Sequence, residues 1–525
     1  LKILVIHKKS FKILFVFLLT VIFLFSCKNI SNINDDVLVV KLNTSKTFQT
    51  IRNFGASDAW STQFVGKNWP EETKNKIAKL LFSTTNKTDG SPEGIGLTAW
   101  RFNIGAGSIE QGNNSQIKDE WRRAESFLTA KGTYDWNKQS GQLWFLKEAK
   151  NYGVKTFIGF VNSPPVYFTK NNKAWSADGI SSNLAENNYV KYANFLSSVV
   201  KGIANKTGVN FNYISPFNEP QWDWKCCNQE GSPWNNKEIF DAVNAIDKSF
   251  KKNNISSKIE ISEAGKIDAL YSNADKANRG NQIAYFFDKN SDGFVGDLNS
   301  IPKKIAGHSY FSTWNLKNSI NTRKQLNKKI QAVNSDLEYW MTEYCILENN
   351  ERIKGNKRDL GIDAALYMAR VIHSDLVFAN ASAWHWWLAI SPYNYKDGLI
   401  YIDNNKFNGN YYESKMLWTL GHYSRFVKPE MKRIASTLTN FKEDNIDGVL
   451  QSSYMSNDEI VIVFVNQLNK SENIKISGIP EGFSSIELYQ TTEDVTENLK
   501  KVSTINSNET FTLAKRSLVT CVLKK

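Results

Sequence analysis

The chain has 525 residues, of which 41% are hydrophobic and 22% charged, with a formal charge of +13. This composition excludes a disordered or low-complexity chain and leaves room for a large domain plus a smaller one. The lysines are scattered and form no basic stripe, so the charge describes a solvated surface, not a nucleic-acid interface.

Residues 1–27 form an expected export signal. Lys2, Lys8, Lys9 and Lys12 make a basic start, and Ile13–Phe25 is apolar except for Thr20, too short to span a bilayer comfortably. Leu24-Phe25-Ser26-Cys27 is similar to a bacterial lipoprotein cleavage box, with Phe25 a departure from the usual small residue. Cys27 is thus the expected lipid attachment, and the expected location is the periplasm, the outer membrane or the cell surface. Membrane contact is expected through that anchor alone. Residues 28–50 read as a polar tether followed by a strand that joins a later β-domain.

From Ile51 onward, apolar strand-like runs alternate with amphipathic segments. The runs are Ile51–Asp58, Leu97–Ile104, Val154–Val161, Phe211–Phe217, Lys258–Glu263, Lys304–Tyr310, Leu337–Glu343 and Ala381–Trp387. Between them, Glu71–Leu81, Gln142–Tyr152, Tyr189–Ile203, Ile239–Lys251, Ile320–Val333 and Gly361–Leu376 have helical spacing. Eight alternations of strand and helix predict an α/β chain with a parallel (β/α)8 barrel over 51–428. Past Gly421–Pro429 short strands separated by turns take over, at Val449–Tyr454, Glu459–Asn466, Asn473–Ile476, Ser485–Gln490 and Leu518–Leu523. They predict a β-sandwich over 429–525.

A barrel of this kind carries its site at the C-terminal ends of its strands. That rule selects Asp58, Arg101, Asn103, Asn162, Asn218, Glu219, Glu263, His308, Tyr310, Glu343, Trp384 and Trp386. Glu219 follows the fourth run and Glu343 ends the seventh, so two carboxylates face one mouth. Burying a carboxylate is costly, and doing so twice calls for a chemical reason. Glycoside hydrolysis needs two, one as acid/base and one as nucleophile. Glu263 also ends a strand; substrate binding and a bridge to Arg101 are its alternatives. Strand alternation puts Trp384 and Trp386 on one face and Trp387 on the other. The expectation is that Trp384 or Trp386 floors a sugar subsite and that Trp387 is core. Trp60, Trp222, Trp224 and Trp234 flank strand ends, and His308 divides evenly between wall and ligand.

Several ordered motifs resemble glycoside hydrolase family 30. They are Phe54-Gly55-Ala56-Ser57-Asp58-Ala59-Trp60, Arg101-Phe102-Asn103-Ile104-Gly105, Ser163-Pro164-Pro165, Asn218-Glu219-Pro220, Glu343, and the run Gly421 to Pro429 before the β-domain. The resemblance implies a retaining mechanism with Glu219 as acid/base, Glu343 as nucleophile and carboxyl groups about 5–5.5 Å apart. It places Asn218 at the sugar 2-hydroxyl, Arg101 beside the nucleophile and Tyr310 in a hydrogen bond to it. The stretch from Asn218 to Trp224, with Gln229 to Trp234, looks like the endo-β-1,6-galactanase branch. Asp58, Trp224 and Glu230 would then choose among sugars. The alternatives are β-1,6-glucan or (glucurono)xylan as substrate, or a non-catalytic glycan-binding lipoprotein. The segment Ser391–Ile402 has no arginine to pair a glucuronate, which weakens the xylan option. A polysaccharide or oligosaccharide is the expected partner, without nucleic acid, and a monomer is expected. No cofactor or metal is called for, because two carboxylates suffice. Of the cysteines, Cys226 or Cys227 paired with Cys345 is the expected bridge; Cys521 is left over.

Overall fold

The computed structural model describes residues 37–525. The signal segment, Cys27 and the tether up to Asp36 lie outside them. Among the described residues no helix is long and apolar enough to cross a membrane.

After β1 (Leu38–Thr50) come the barrel strands β2 (Asn53–Ser57), β3 (Ala99–Asn103), β4 (Thr156–Phe160), β5 (Tyr213–Ser215), β6 (Lys258–Ile259), β7 (Ser262–Ala264), β8 (Lys304–His308), β9 (Glu338–Glu343) and β10 (Ala381–Ser391). Their spatial order is β6-β5-β4-β3-β2-β10-β9-β8-β7. The sheet closes because β6 and β7 are halves of one broken strand. Between them Glu260 donates its N–H to Ile214 O at 2.8 Å, and Ile261 O accepts from Ala306 N–H at 2.8 Å. Six long helices alternate with these strands, at Glu71–Phe82, Ser140–Asn151, Tyr189–Thr207, Asn236–Lys252, Leu316–Val333 and Ile362–Phe378. Local chemistry sets their starts. Asn235 and Glu238 form a capping box before Asn236, and the Asn315 side chain caps the helix at Leu316. The result is a (β/α)8 barrel, as the eight apolar runs imply.

The helix Lys415–Ser424 falls where the sequence suggested only a boundary. All ten of its residues are buried, so it shows no polar face to read. Before it, β11 (Gly398–Ile402) and β12 (Tyr411–Glu413) extend β10 into a small hairpin.

The second sheet holds β13 (Lys432–Leu438), β14 (Val449–Met455), β15 (Glu459–Asn466), β16 (Glu472–Ser477), β17 (Ser485–Thr491), β18 (Lys500–Asn506), β19 (Thr510–Leu513) and β20 (Ser517–Lys524). Its order is β18-β17-β20-β15-β14-β13-β1-β16-β19, so the first of the described strands sits within it. The sheet curls, and strands from both ends share one core with Ile474, Phe511, Ile486 and Leu523. Its other face packs on the barrel. Along β15, Ile460, Ile462 and Phe464 fill the β-domain, while Val461, Val463 and Val465 join the barrel core. A strand covered on both faces reads as a continuous apolar run. His422 spans the junction, with Nδ1 2.8 Å from Thr520 Oγ1 and Nε2 2.9 Å from Thr491 Oγ1.

The cysteines correct one expectation. Cys226 and Cys227 are bonded to each other, and Cys345 and Cys521 are free and buried. Cys345 turns inward, its Sγ 3.7 Å from the Tyr310 hydroxyl, whereas Cys226 lies exposed on the loop after β5, so the two cannot meet.

Candidate active site

Glu219 lies in the loop after β5 and adopts φ +46°, and Glu263 in β7 adopts φ +57°. A left-handed backbone at a non-glycine residue costs on the order of 1–3 kcal/mol and persists only where its surroundings enforce it. Here Glu219 N–H donates to Glu263 O at 2.9 Å, and Trp224 Nε1 donates to Glu219 O at 3.0 Å. Gly265 lets this loop approach. A Cβ there would sit 2.7 Å from Trp222 Nε1 and 3.2 Å from Glu219 Oε1. Glu343 is the last residue of β9 and is held rigidly by the sheet.

Six ionisable side chains meet at this mouth. Arg101 Nη1 donates to Glu343 Oε2 at 2.5 Å, and its Nη2 donates to Glu263 Oε2 at 2.8 Å and Asn218 Oδ1 at 3.1 Å. The Tyr310 hydroxyl donates to Glu343 Oε1 at 3.1 Å. His308 bridges the carboxylates, with Nδ1 3.0 Å from Glu219 Oε1 and Nε2 2.8 Å from Glu263 Oε2. Burial opposes a charge on His308, but the Glu343 carboxylate and the contacts to Glu219 and Glu263 outweigh it, raising its pKa to about 10. His308 is therefore an imidazolium at neutral pH. Burial raises the Glu263 carboxyl, yet Arg101 and His308 reverse this and hold it well below the usual range. Burial also raises Glu343, with the Glu219 carboxylate adding to it and His308 and Arg101 opposing.

Three carboxylates thus face two cations, one negative charge too many for a buried site, and a proton settles the difference. Glu263 is fully buried and bound to both cations, which makes it a bridge. Glu219 and Glu343 keep 7% and 4% exposure and are the two of the three that open to solvent. Glu219, His308 and Glu343 present ligand atoms all within 4.8 Å of one another, the spacing of a metal cluster. These groups are already engaged with one another: His308 Nε2 lies 2.8 Å from Glu263 Oε2, and Arg101 is bound to Glu343. That spacing does suit a retaining pair of carboxylates.

Other sequence candidates are placed differently. Trp384 and Trp386 are fully buried on the outer face of β10, where Trp384 Nε1 donates to Asp375 Oδ2 at 2.9 Å and Trp386 Nε1 to Asp397 O at 2.6 Å. Neither floors a subsite. The alternation is right but its phase is inverted: Ala383 and Trp340 share the barrel interior, and Trp387 follows on that side, half-buried instead of core. Trp387 meets the edge of Trp60 at 5.4 Å and Phe160 at 6.3 Å, and Phe160 lies 3.9 Å from the Arg101 guanidinium. Trp60 is buried, its Nε1 without a partner among the described residues.

Glu230 is wholly buried, accepting from Ala106 N–H at 2.9 Å, Ser108 N–H at 3.2 Å and Ser108 Oγ at 2.6 Å. Burial pushes it up to about 7 against those bonds. It braces the loop after β3 and reaches no sugar. Asp58 is likewise buried, capping Asn103 N–H at 2.7 Å and accepting from Gln142 at 3.1 Å. Burial raises it well above the usual value. Asn162 is buried too, and donates to Asn103 Oδ1 at 3.2 Å. Trp234 is core, edge-on to Phe217 at 4.9 Å.

Residues that sequence reasoning missed complete the mouth. Phe311, 64% exposed, stands edge-on to Trp222 at 5.7 Å, and Lys266 Nζ lies 5.1 Å from the Trp222 ring. Opposite, the Arg122 guanidinium lies 6.0 Å from Trp60 and 5.1 Å from Tyr393. Phe311 follows Tyr310 directly, which was the one available signal; Arg122 comes from a loop with no local mark.

Comparison with known proteins agrees with this chemistry. The family model O-Glycosyl hydrolase family 30 matches residues 37–401. The chain is 22% identical over 419 residues to an endo-beta-1,6-galactanase of Hypocrea rufa, covering 76% of this chain and 78% of that one. It is 25% identical over 334 residues to a glucuronoxylanase of Bacillus subtilis (strain 168), covering 62% and 64%. The structure of a conserved exported protein from Bacteroides fragilis superposes with a TM-score of 0.87 at 34% identity, over 92% of this chain and all of that one. The chain belongs to O-glycosyl hydrolase family 30 and is an O-glycosyl hydrolase.

Proposed function

We propose that the protein is a retaining, endo-acting β-glycosidase whose substrate is β-1,6-galactan. One observation carries the mechanism: two reachable carboxylates have oxygens within 4.8 Å, and only Glu343 is bound by a guanidinium. Arg101 and Tyr310 bind the Glu343 carboxylate, the guanidinium opposing the rise that burial gives it, and aim it at the anomeric carbon, the arrangement of a nucleophile. Glu219, whose carboxylate is hydrogen-bonded to His308 and to no guanidinium among the described residues, delivers the proton to the leaving oxygen. The glycosyl-enzyme ester on Glu343 is then hydrolysed by a water that Glu219 deprotonates. Asn218 Oδ1 accepts from Arg101, so its Nδ2 is the end left to donate to a sugar hydroxyl. Trp387, Trp222 and Phe311 offer the ring faces.

The galactan assignment is supported by the relative from Hypocrea rufa and by the Trp222 to Trp224 loop. A second reading, glucuronoxylan, is favoured by Arg122 at the mouth and by the relative from Bacillus subtilis. Asp119 already lies 3.6 Å from Arg122 Nε, so this cation is partly compensated. The test is product analysis on β-1,6-galactan, β-1,6-glucan and glucuronoxylan, with anomeric configuration followed by NMR. Oligosaccharides from galactan with retained configuration are expected. Inverted products would sink the mechanism, and release from glucuronoxylan alone would replace the substrate.

A further inference from the structure

A second cleft lies between the loop after β9 and the β-domain. It has a volume of about 640 Å³ and is walled by the loop 350–359 after β9, by the start of the helix Ile362–Phe378 and by Gln467 and Arg516 of the β-domain. Its lining is polar, with six basic side chains against three acidic ones. That size suits one or two sugar rings.

Arg370 marks the base of this cleft. It is 2% exposed, and its Nη2 has no hydrogen-bond partner among the described residues. The nearest carboxylate, Asp447 Oδ1, lies 3.9 Å from Arg370 Nη1, beyond hydrogen-bond reach. Asp447 is instead bound through Oδ2 to Arg352. The Tyr367 ring, 4.5 Å from the guanidinium carbon, gives it a face but no acceptor. A buried guanidinium without an acceptor is rare, because an uncompensated charge is among the costliest things to desolvate. Lys396, by contrast, spends its ammonium on the Lys354, Asn356 and Lys357 carbonyls. Arg370 is thus the cation with capacity to spare, and Arg352 and Lys357 stand at the rim.

We propose that this cleft is an anion-binding exosite that takes the carboxylate of an acidic sugar, with Arg370 as its anchor. A planar guanidinium matches a carboxylate through paired N–H groups. A glycan bearing uronic acid residues would be held here while a neutral stretch of it lies in the barrel mouth. The inference does not rest on which linkage is cleaved, since binding is read without turnover.

The test is thermal unfolding of the full chain with increasing D-glucuronate or D-galacturonate, against galactose and sodium chloride at matched ionic strength. A saturable rise in Tm with the uronates alone is expected. Arg370→Met should abolish the saturable rise while leaving the unliganded Tm equal or higher, since an apolar side chain replaces a lone buried charge. Should that variant not fold, Arg352→Gln with Lys357→Gln, both at the rim, carries the test by weakening the apparent affinity severalfold. No saturable rise in the unmodified protein overturns the proposal, as does a rise that survives Arg370→Met or the rim pair unchanged. A rise with sulfate and none with uronate overturns the saccharide assignment.

Discussion

The mouth and the floor of the barrel both bury charge, and they do it in opposite ways. At the floor, Glu260 pairs with Lys304, whose ammonium lies 3.2 Å from the Trp340 ring and 3.5 Å from the Tyr213 ring; burial, with the neighbouring Glu263 adding to it and Lys304 opposing, raises the Glu260 carboxyl to about 7. Nearby His385 is neutral, because burial, with Arg101 and Lys304 adding to it, lowers its pKa to about 3, and its Nε2 pairs with Asn53 Oδ1 at 2.6 Å. At the mouth, three carboxylates outnumber two cations and His308 is charged. The floor sets one carboxylate against one ammonium; the mouth sets three carboxylates against two cations, and that imbalance is what the proposed proton transfer uses. Burial alone therefore does not mark a catalytic carboxylate; an unequal number of partners does.

The widest break between the two regions is in turnover. Glu219→Gln is expected to lower kcat on polysaccharide by about 10²–10⁴, the range of acid/base catalysis, and much less on aryl glycosides with activated leaving groups. Glu343→Gln should cost more than that on both substrates, because no leaving group substitutes for a nucleophile. Rates measured on both substrates check the assignment, and an aryl glycosidase unaffected by Glu343→Gln would reverse it.

Lys304→Met tests the floor. It leaves Glu260 unpaired, and a loss of about 3–5 kcal/mol in urea unfolding is expected, with kcat per folded molecule unchanged. Adding Glu260→Leu should recover most of that loss, since a pair removed together costs little. A large fall in kcat with Lys304→Met would erase the distinction.

The tryptophans of β10 sharpen it further. Trp384→Phe deprives Asp375 of a donor and should cost about 1–3 kcal/mol of stability without changing KM. Trp387→Ala should raise KM roughly tenfold, equal to about 1.4 kcal/mol, with little loss of stability. Denaturation curves and kinetics on the two variants separate the faces of the strand; equal behaviour would place both in the core.

The smallest effect is a pH slope. Burial holds His373, His385 and His422 near 3, against about 6.5 in an unfolded chain. Their contribution is fully present above about 6.5 and is lost as pH falls toward 3, because the unfolded state binds protons that the folded state refuses. His308 runs the other way, its contribution present below about 6.5 and lost as pH rises through about 10. His422→Asn should flatten the acid limb of a stability–pH curve by about 1.4 kcal/mol per pH unit, and an unchanged limb would contradict a neutral His422.

Much of this was legible in the residues. The eight barrel strands appear as apolar runs because the closed sheet is covered on both faces, and Glu219 and Glu343 stand out as carboxylates where such runs stop. The edge strands β18 and β19 were not legible, since half of each faces solvent and their polar residues imitate a loop. The phase of β10 failed for a related reason. The strand has eleven residues, with a register irregularity between Trp386 and Leu388, so its inward face cannot be counted from its end. Glu230 misled because its partners, Ala106 and Ser108, come from a loop more than a hundred residues earlier, and a local pattern cannot report such a bond.

The curled sheet has a consequence in time. Its interior holds β20 between β17 and β15, and β1, more than 450 residues earlier, between β13 and β16. A chain emerging N-terminus first can order barrel units as they appear. Yet the apolar face that β15 and β20 share with the barrel has no cover until residues 517–524 arrive. A barrel made before β20 therefore waits with that flank open, and a chain lacking β20 would keep an apolar, sticky face.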